Sequence, residues 1–347
     1  MPRLTLRMTM DCNLECKYCY TPGRRDGAKL SVDTFKKFHR RWIEKHPAQP
    51  FPKLAFFGGE PCMAWPEVRA ITEYAKKNIA SPRFVLFTNA TLITDKRARY
   101  IKENRFGVNV SIDGPEEIHN AARSDWHRTM AGIRILNAVG IVPALLSVLS
   151  AQNLQIVERL QWLSQMRARG MGRGTSVGYP FMSECGAWGI STDQVDELEQ
   201  EYIRAADWLI ENPSEPFRQF DTILQNRNPC GCGSPTGQIT LTPEGEIHIC
   251  HRQWDNRTLM GDVENGWSYE IPKQIARKRK RICQQCELEP LCYTGCWMHS
   301  LLVNGSMIEP SPIECRVRRF VAREALRMKM ERAANATPPI MAARKEN

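Results

Sequence analysis

The chain has 347 residues, a length that suits a barrel-sized domain plus a smaller one. Apolar residues make up 42%, which is enough for a packed core, and the formal net charge is +10. The sequence shows no signal peptide and no apolar run long enough to cross a bilayer, which argues against a secreted or membrane-spanning protein. Its thirteen cysteines fall in short-spaced groups, which indicates reduced cytoplasmic thiols and metal sites.

The first predicted element is a strand over residues 3–8, and it runs into the loop Cys12-Asn-Leu-Glu-Cys16-Lys-Tyr-Cys19. Thiols so close in sequence do not easily form disulfides with one another. They can surround one small inorganic group, and three thiolates on a four-iron cluster leave one iron open to a small molecule. A zinc knuckle is the alternative.

Strand and helix patterns then alternate to about residue 190. The predicted strands are 3–8, 53–57, 84–88, 107–112, 142–148 and 175–180, and the helices lie near 31–46, 65–79, 94–104, 127–139 and 153–168. Six such units imply parallel strands joined by right-handed crossovers, hence an α/β partial (β/α)6 barrel. The three cysteines follow the first strand, which is where such folds carry their active groups.

The spacing Cys-x3-Cys-x-aromatic-Cys resembles the signature of the radical S-adenosylmethionine (SAM) superfamily, whose members use partial barrels of this kind. The resemblance implies that the open iron of a [4Fe-4S] cluster chelates SAM. An electron from the cluster then yields a 5′-deoxyadenosyl radical that abstracts hydrogen from the substrate. The resemblance also implies that Tyr18 packs near the adenine of SAM.

Two strand ends carry further motifs that resemble the family. Gly58-Gly59-Glu60 follows the second strand, where glycines allow close backbone approach, and the resemblance makes Glu60 the acceptor for the SAM amino group. Phe87-Thr88-Asn89 is similar to the family's Thr-Asn-Gly turn, with Ala90 in place of glycine.

The fourth strand is followed by the run Asp113-Gly114-Pro115. The resemblance implies that Ser111 reaches the SAM ribose and that Arg123 neutralises the SAM carboxylate. A turn residue and a surface arginine are the alternatives for these two positions.

Beyond the barrel, a Ser191-x-x-Gln194 capping box predicts a helix to about Glu211, and the Pro- and Asn-containing segment 212–229 reads as a linker. A β-hairpin is predicted over residues 238–249 around a Pro-Glu-Gly turn. Residues 316–333 predict a basic helix with a partial apolar stripe of Phe320, Val321, Leu326 and Met330, followed by a disordered tail.

The second half carries eight cysteines, and their spacing around the hairpin resembles the SPASM domain, a two-cluster extension found on one branch of the radical SAM enzymes. The resemblance implies two auxiliary [4Fe-4S] clusters, and hence three in all. One takes Cys283, Cys286, Cys292 and Cys315, and the other takes Cys230, Cys232, Cys250 and Cys296. The Cys230-Gly-Cys232 spacing is tighter than in relatives, so either both thiols bind or one iron stays open. Zinc ribbons are the alternative.

Three residues outside these sets need an interpretation. Cys62 reads as a small buried core residue. Cys185, on the predicted mouth loop, is a candidate hydrogen-atom donor if the enzyme epimerises, with an inert buried cysteine as the alternative. His251 follows Cys250, where sulfatase-maturing relatives carry an aspartate base. It is either a substitute base or a surface histidine, and formylglycine formation is disfavoured.

The expected domains are a barrel over 1–190, a helix and linker over 191–229, a SPASM domain over 230–316, and a basic helix and tail over 317–347. Three clusters would bring the net charge to roughly +5, so nucleic-acid binding is not expected. The run 277–281 either attracts an acidic flavodoxin- or ferredoxin-type electron donor or is a solvated helix end.

The favoured function is radical modification of a ribosomal peptide or protein. Only eleven residues precede Cys12, so a separate leader-binding partner is expected. The alternatives are an epimerase or alcohol dehydrogenase acting on a sugar or aminoglycoside, and a non-catalytic iron–sulfur or zinc scaffold.

Overall fold

The computed structural model describes residues 3–20, 26–49, 51, 53–178, 186–225, 238–252, 256–292 and 294–336. These residues form one ten-stranded sheet covered by helices. The strands are β1 Arg3–Arg7, β2 Lys53–Phe57, β3 Phe84–Thr88, β4 Gly107–Ser111, β5 Ala144–Val148, β6 Arg173–Gly178, β7 Gln238–Leu241, β8 Glu246–His248, β9 Leu259–Asp262 and β10 Gly266–Trp267. No helix in these ranges is both long and apolar enough to span a membrane.

Twelve α-helices are seen in the described part of the chain. They are α1 Val32–Lys45, α2 Trp65–Asn78, α3 Asp95–Glu103, α4 Glu116–Ala122, α5 Trp126–Ala138, α6 Ile156–Ala168, α7 Val195–Glu211, α8 Arg218–Leu224, α9 Glu270–Cys283, α10 Glu289–Cys292, α11 Trp297–Asn304 and α12 Pro312–Ala336. The capping box at Ser191 and Gln194 is confirmed in the 3₁₀ turn that leads into α7. The short helix α4 was not predicted.

The sheet has the order β10-β9-β8-β7-β1-β2-β3-β4-β5-β6, and β1 to β6 are all parallel to their neighbours. All six strand predictions of the barrel are confirmed to within about two residues at each described end. Since β6 and β1 are not neighbours, the sheet is an open barrel, as predicted. Loops after the strand C-termini therefore share one edge of the sheet, which we call the barrel mouth.

The predicted β-hairpin is confirmed as β7 and β8, and it extends the barrel sheet. Strand β7 runs parallel to β1, with Leu4 opposite Ile239, and β8 turns back antiparallel. The turn closes with a hydrogen bond from the Gly245 N–H to the Thr242 carbonyl. The expected domain boundary near residue 230 thus separates parts of one continuous sheet.

The predicted linker over 212–229 is wrong for its described part, because α8 lies within it. Phe217 and Phe220 are buried there, with ring centroids 4.9 Å apart, and they pack beside Tyr202 of α7. The Phe320 ring of α12 completes this cluster, 5.4 Å from Tyr202. The prolines of this segment predicted a linker, but Phe217 and Phe220, which follow Pro216, fill the space between α7 and α12.

The basic helix is confirmed and is longer than predicted, since α12 covers residues 312–336. Its arginines pair with the acidic face of α7: Arg323 with Glu199, and Arg327 with Asp207. The predicted apolar stripe is wrong at Leu326 and Met330, which are exposed, whereas Phe320 and Val321 are buried. Much of the positive charge of this helix is therefore paired with carboxylates of the same molecule.

Candidate active site

The loop that carries the first three cysteines, residues 8–20, is here called the cysteine loop. Backbone hydrogen bonds fix its start to the end of β2, from the Gly59 N–H to the Thr9 carbonyl and from the Glu60 N–H to the Asp11 carbonyl, both 2.8 Å. A Cβ atom at Gly58 would lie 2.3 Å from the Thr9 carbonyl oxygen, and one at Gly59 2.3 Å from that of Asp11. Both glycines are therefore required by the approach of the cysteine loop itself.

Glu60 faces inward and is 1% exposed. Its carboxylate accepts hydrogen bonds from the Cys62 N–H at 2.9 Å and from the Thr88 hydroxyl and the Asn89 N–H, both 2.8 Å. Burial raises the Glu60 pKa, and these hydrogen bonds oppose the rise. The carboxylate thus joins the ends of β2 and β3, and a direct contact with a SAM amino group would compete with these bonds. That role stays a prediction.

The turn after β3 holds the middle of the cysteine loop. The Asn13 side chain donates to the Thr91 hydroxyl at 2.8 Å and accepts from the Asn89 side chain at 3.0 Å. Ala90 adopts a left-handed conformation with φ of 63°, so alanine here keeps the geometry for which glycine is favoured. Sequence reasoning assigned no role to Asn13, although it lies next to a cysteine.

The third attachment involves the segment that contains α4. The Lys17 N–H donates to the Ala122 carbonyl at 2.8 Å. Arg123 donates to the Asp113 carboxylate at 3.1 Å and lies 3.7 Å from the Cys16 sulfur. The Tyr18 hydroxyl also donates to Asp113, and its ring lies under the Arg123 guanidinium, 5.1 Å away. Burial alone would lower the Arg123 pKa, but Asp113 and Tyr18 raise it, so the guanidinium stays charged.

Asp113 is a second residue of the site to which the sequence assigned no role. It is 1% exposed and also accepts from the Val148 N–H at 2.9 Å, so it connects the ends of β4 and β5 to the cysteine loop. Its position directly after the fourth predicted strand was the available signal. Arg123 is held in the interior, and the alternative of a surface arginine is wrong.

Ser111 ends β4 at the barrel mouth and is partly buried. Trp188 packs against the small buried cluster of Tyr18 and Ala122, and the Lys17 ammonium lies 5.1 Å from its ring. The segment after β6 therefore reaches the cysteine loop. Cys185, the predicted hydrogen donor, lies outside the described residues. Cys62 is buried in the main core, as predicted.

Burial raises the Cys12 pKa to about 11, and the charges of the Cys16 and Cys19 thiolates act in the same direction. The Cys12 sulfur accepts from the Leu14 N–H at 3.5 Å, and the Cys19 N–H donates to the Cys16 carbonyl at 2.9 Å. In the described ranges, no three Cys, His, Asp or Glu side chains are grouped to hold a single metal ion. A four-iron cluster differs from such an ion in that each thiolate binds a different iron.

Four predicted cluster ligands line one cavity of about 60 Å³ in the second half, here called the four-cysteine cavity. They come from the end of α9, the following turn, α10 and the first turn of α12, and they are Cys283, Cys286, Cys292 and Cys315. Three arginines, Arg279, Arg318 and Arg319, line the same cavity. Burial raises the pKa of the Cys283 and Cys315 thiols, and Arg279 opposes that rise. This donor set fits an iron–sulfur cluster.

The other predicted auxiliary site is described only in part. Cys250 and Cys296 belong to one small buried cluster with Ile275, Trp297 and Leu301. Each sulfur accepts from a backbone N–H, from Arg252 at 3.4 Å and from His299 at 3.5 Å. Cys230 and Cys232 lie outside the described residues.

His251 packs its ring against Phe57, with centroids 4.8 Å apart, and Phe57 in turn packs against Phe87. Burial, Arg3 and Arg252 lower the His251 pKa to about 3, which keeps the imidazole neutral. Arg252 lies over the ring of Tyr20, 5.3 Å away. The residues after the hairpin therefore contact both the end of β2 and the cysteine loop, and the alternative of a surface histidine is wrong.

Comparison with known proteins agrees with this geometry. Residues 6–161 match the Radical SAM superfamily. A serine-type anaerobic sulfatase-maturating enzyme of Klebsiella aerogenes is 25% identical over 83% of this chain and 77% of its own. A cysteine-type anaerobic sulfatase-maturating enzyme of Clostridium perfringens is 23% identical over 85% of this chain and 89% of its own.

Solved structures share the fold. Native anSMEcpe with bound AdoMet superposes with a TM-score of 0.78 over 96% of this chain and 100% of its own, at 19% identity. Streptococcus suis SuiB bound to S-adenosylmethionine gives 0.67 over 90% of this chain and 76% of its own, at 16% identity.

An open parallel barrel with a cysteine loop after its first strand is the arrangement expected of a radical SAM domain. Residues 6–161 of the chain form such a domain, and the chain's curated relatives include the anaerobic sulfatase-maturating enzymes.

Proposed function

We propose that the chain reductively cleaves SAM at a [4Fe-4S] cluster held by Cys12, Cys16 and Cys19, and that the resulting radical takes hydrogen from a carbon of a peptide or protein. The observation that carries the first part is the cysteine loop. It is held at three points, by the ends of β2, β3 and β4, which converge at the barrel mouth. Bound there, the cluster would supply the electron that cleaves SAM.

The SAM contacts follow from the same arrangement. Gly58 and Gly59 are partly exposed while Glu60 is buried, so the glycine backbone is the part of this motif that would meet the amino group. Arg123 would face the SAM carboxylate while Asp113 holds it beside Cys16. Tyr18 would pack near the adenine, and Ser111 at the end of β4 would reach the ribose.

Two auxiliary [4Fe-4S] clusters complete the proposal, one in the four-cysteine cavity and one on Cys230, Cys232, Cys250 and Cys296. The second has support from two of its four thiols, which lie in one buried cluster. Both clusters would accept or relay electrons and stabilise a region with a small apolar core of its own.

A peptide or protein substrate is supported by the relatives. The two curated relatives are named as sulfatase-maturating enzymes, and structures of anSMEcpe with the Cp18Cys peptide and of SuiB with precursor peptide SuiA have the same fold. His251 stands where the sulfatase-maturing enzymes carry an aspartate base. We therefore propose a product other than formylglycine, because a neutral imidazole packed against the Phe57 ring stands in place of a carboxylate base.

An acidic electron donor of the flavodoxin or ferredoxin type is proposed at the basic run of α9. Arg277, Lys278, Lys280 and Arg281 are exposed there, whereas Arg279 is buried and unavailable to a partner. The remaining positive charges are complementary to an acidic protein surface.

The test uses reconstituted holoenzyme with dithionite, SAM and fractions of fully deuterated cells. We expect 5′-deoxyadenosine in every reaction, with deuterium in it only when the peptide and protein fraction is present. Deuterium from the small-molecule fraction alone would contradict the peptide assignment. No 5′-deoxyadenosine at all would contradict SAM cleavage.

A further inference from the structure

Arg279 is the charged residue whose placement the function above does not explain. It lies in the most basic run of the sequence, residues 277–281, yet its side chain is fully buried. Its guanidinium donates to the Thr294 carbonyl at 3.0 Å, to the Met307 carbonyl at 2.8 Å and to the Ser300 hydroxyl at 2.9 Å. These bonds fix the charge in position inside the second half of the molecule.

That fixed charge lines the four-cysteine cavity. Arg279 and Cys283 are four residues apart on α9, so both side chains lie on one helix face. On α12, Arg318 and Arg319 follow Cys315 by three and four residues and line the same cavity. Two helices therefore each bring a cysteine and at least one arginine to the same space.

Two acidic residues, Glu289 and Glu314, also line the cavity. Glu314 is buried, but it pairs with Arg318 at 3.1 Å and also accepts from the Cys296 N–H at 2.9 Å. Glu289 is only partly buried, so water screens it. Whatever further contacts Arg279 makes, its guanidinium is a positive charge held beside the four thiols.

We propose that Arg279 raises the reduction potential of the cluster in the four-cysteine cavity, an inference that rests on the cluster proposed there. A cubane on four thiolates gains one negative charge when it accepts an electron. A fixed buried cation stabilises the more negative form, and the low dielectric of the interior strengthens the effect. Arg279 would act through the cluster, and in this sense it is a positioning residue.

The experiment is a redox titration followed by EPR in full-length protein with Cys12, Cys16 and Cys19 changed to Ala, which leaves the auxiliary clusters. Arg279→Gln is compared with Arg277→Gln, which removes the same charge from the exposed face of the same helix. In Arg279→Gln we expect the reduction equilibrium of one cluster to shift at least tenfold toward the oxidised form. For one electron this lowers its reduction potential by about 59 mV. Arg277→Gln should leave the potentials unchanged.

Equal potentials in the two variants, with equal iron content, would overturn the inference while leaving the cluster assignment intact. Protein without auxiliary cubanes before any arginine is changed would overturn both the cluster assignment and the inference. Adding Cys315→Ala identifies the signal, because the shifted potential should disappear with that ligand.

A second pair of variants covers the case in which Arg279→Gln does not fold. Arg319 lines the cavity but is exposed, so Arg319→Glu reverses a charge near the cluster at little risk to the core. Its matched control is Arg277→Glu. We expect a lower potential in Arg319→Glu than in the control, and equal values would contradict a role for cavity charge.

Discussion

The cysteine loop and the four-cysteine cavity differ in what holds them in place. The cysteine loop is attached to three parallel strand ends by backbone and side-chain hydrogen bonds, over the main core. The cavity thiols come from the end of α9, a turn, α10 and the first turn of α12, and the smaller apolar core in this half is a cluster of six residues. The first site is therefore built by the sheet, whereas we expect the second to depend on the cluster proposed there.

The cysteine loop should lose all chemistry when its thiols are removed. Changing Cys12, Cys16 and Cys19 to Ala should reduce 5′-deoxyadenosine to background, with iron falling from about twelve to about eight atoms per chain. Chromatography of the products and iron analysis measure both. Undiminished SAM cleavage would refute the assignment of these three residues.

Removing cavity thiols should unfold the second half of the molecule but leave SAM cleavage intact. Changing Cys283 and Cys286 to Ala should remove about four irons and make residues 270–320 sensitive to trypsin, since metal binding there contributes to folding. The barrel should remain resistant and should still cleave SAM without substrate. Equal protection of the two halves would show that the second half folds without its cluster.

A variant of Glu60 tests whether this carboxylate contacts SAM or only stabilises the fold. Glu60→Gln replaces an acceptor oxygen with a donor, so we expect a loss of about 1–3 kcal/mol in the free energy of unfolding. Because the glycine backbone would meet the SAM amino group, the affinity for SAM should change by less than about threefold. That is well under the 1.4 kcal/mol that corresponds to tenfold. Calorimetry of unfolding and of SAM binding tests this, with the exposed Glu103→Gln as control. A tenfold loss of affinity at unchanged stability would favour the direct contact.

The smallest effect is expected on α12, about three helical turns beyond Cys315. Arg327 donates to the buried carboxylate of Glu324 at 2.7 Å and pairs with Asp207 of α7. Because a partner of a buried charge is lost, Arg327→Ala should destabilise the protein by about 1 kcal/mol, more than the exposed Lys329→Ala. Thermal unfolding measures the difference. Equal stabilities would mean that water replaces these contacts.

The sequence predicted those parts of the molecule that depend on local pattern. The six barrel strands and the hairpin follow from alternation and turn residues, and the grouping of the cavity cysteines follows from the resemblance to the SPASM domain. The inward direction of Glu60, the role of Asp113 and the burial of Arg279 depend on distant chain segments, so no local pattern contains them. Helix α8 was not predicted because the prolines near it indicated a linker, although Phe217 and Phe220 are buried.

The most direct measurement is electron–nuclear double resonance on the reduced holoenzyme with SAM labelled with ¹⁵N in its amino group and ¹⁷O in its carboxylate. On the proposed assignment the cysteine loop supplies three sulfurs to a four-iron cluster, which leaves one iron open, so both labels should couple strongly to the cluster. That coupling should persist in the Cys283 and Cys286 variant and vanish when Cys12, Cys16 and Cys19 are changed. A reduced cluster that shows no coupling to either label would contradict an iron open to SAM.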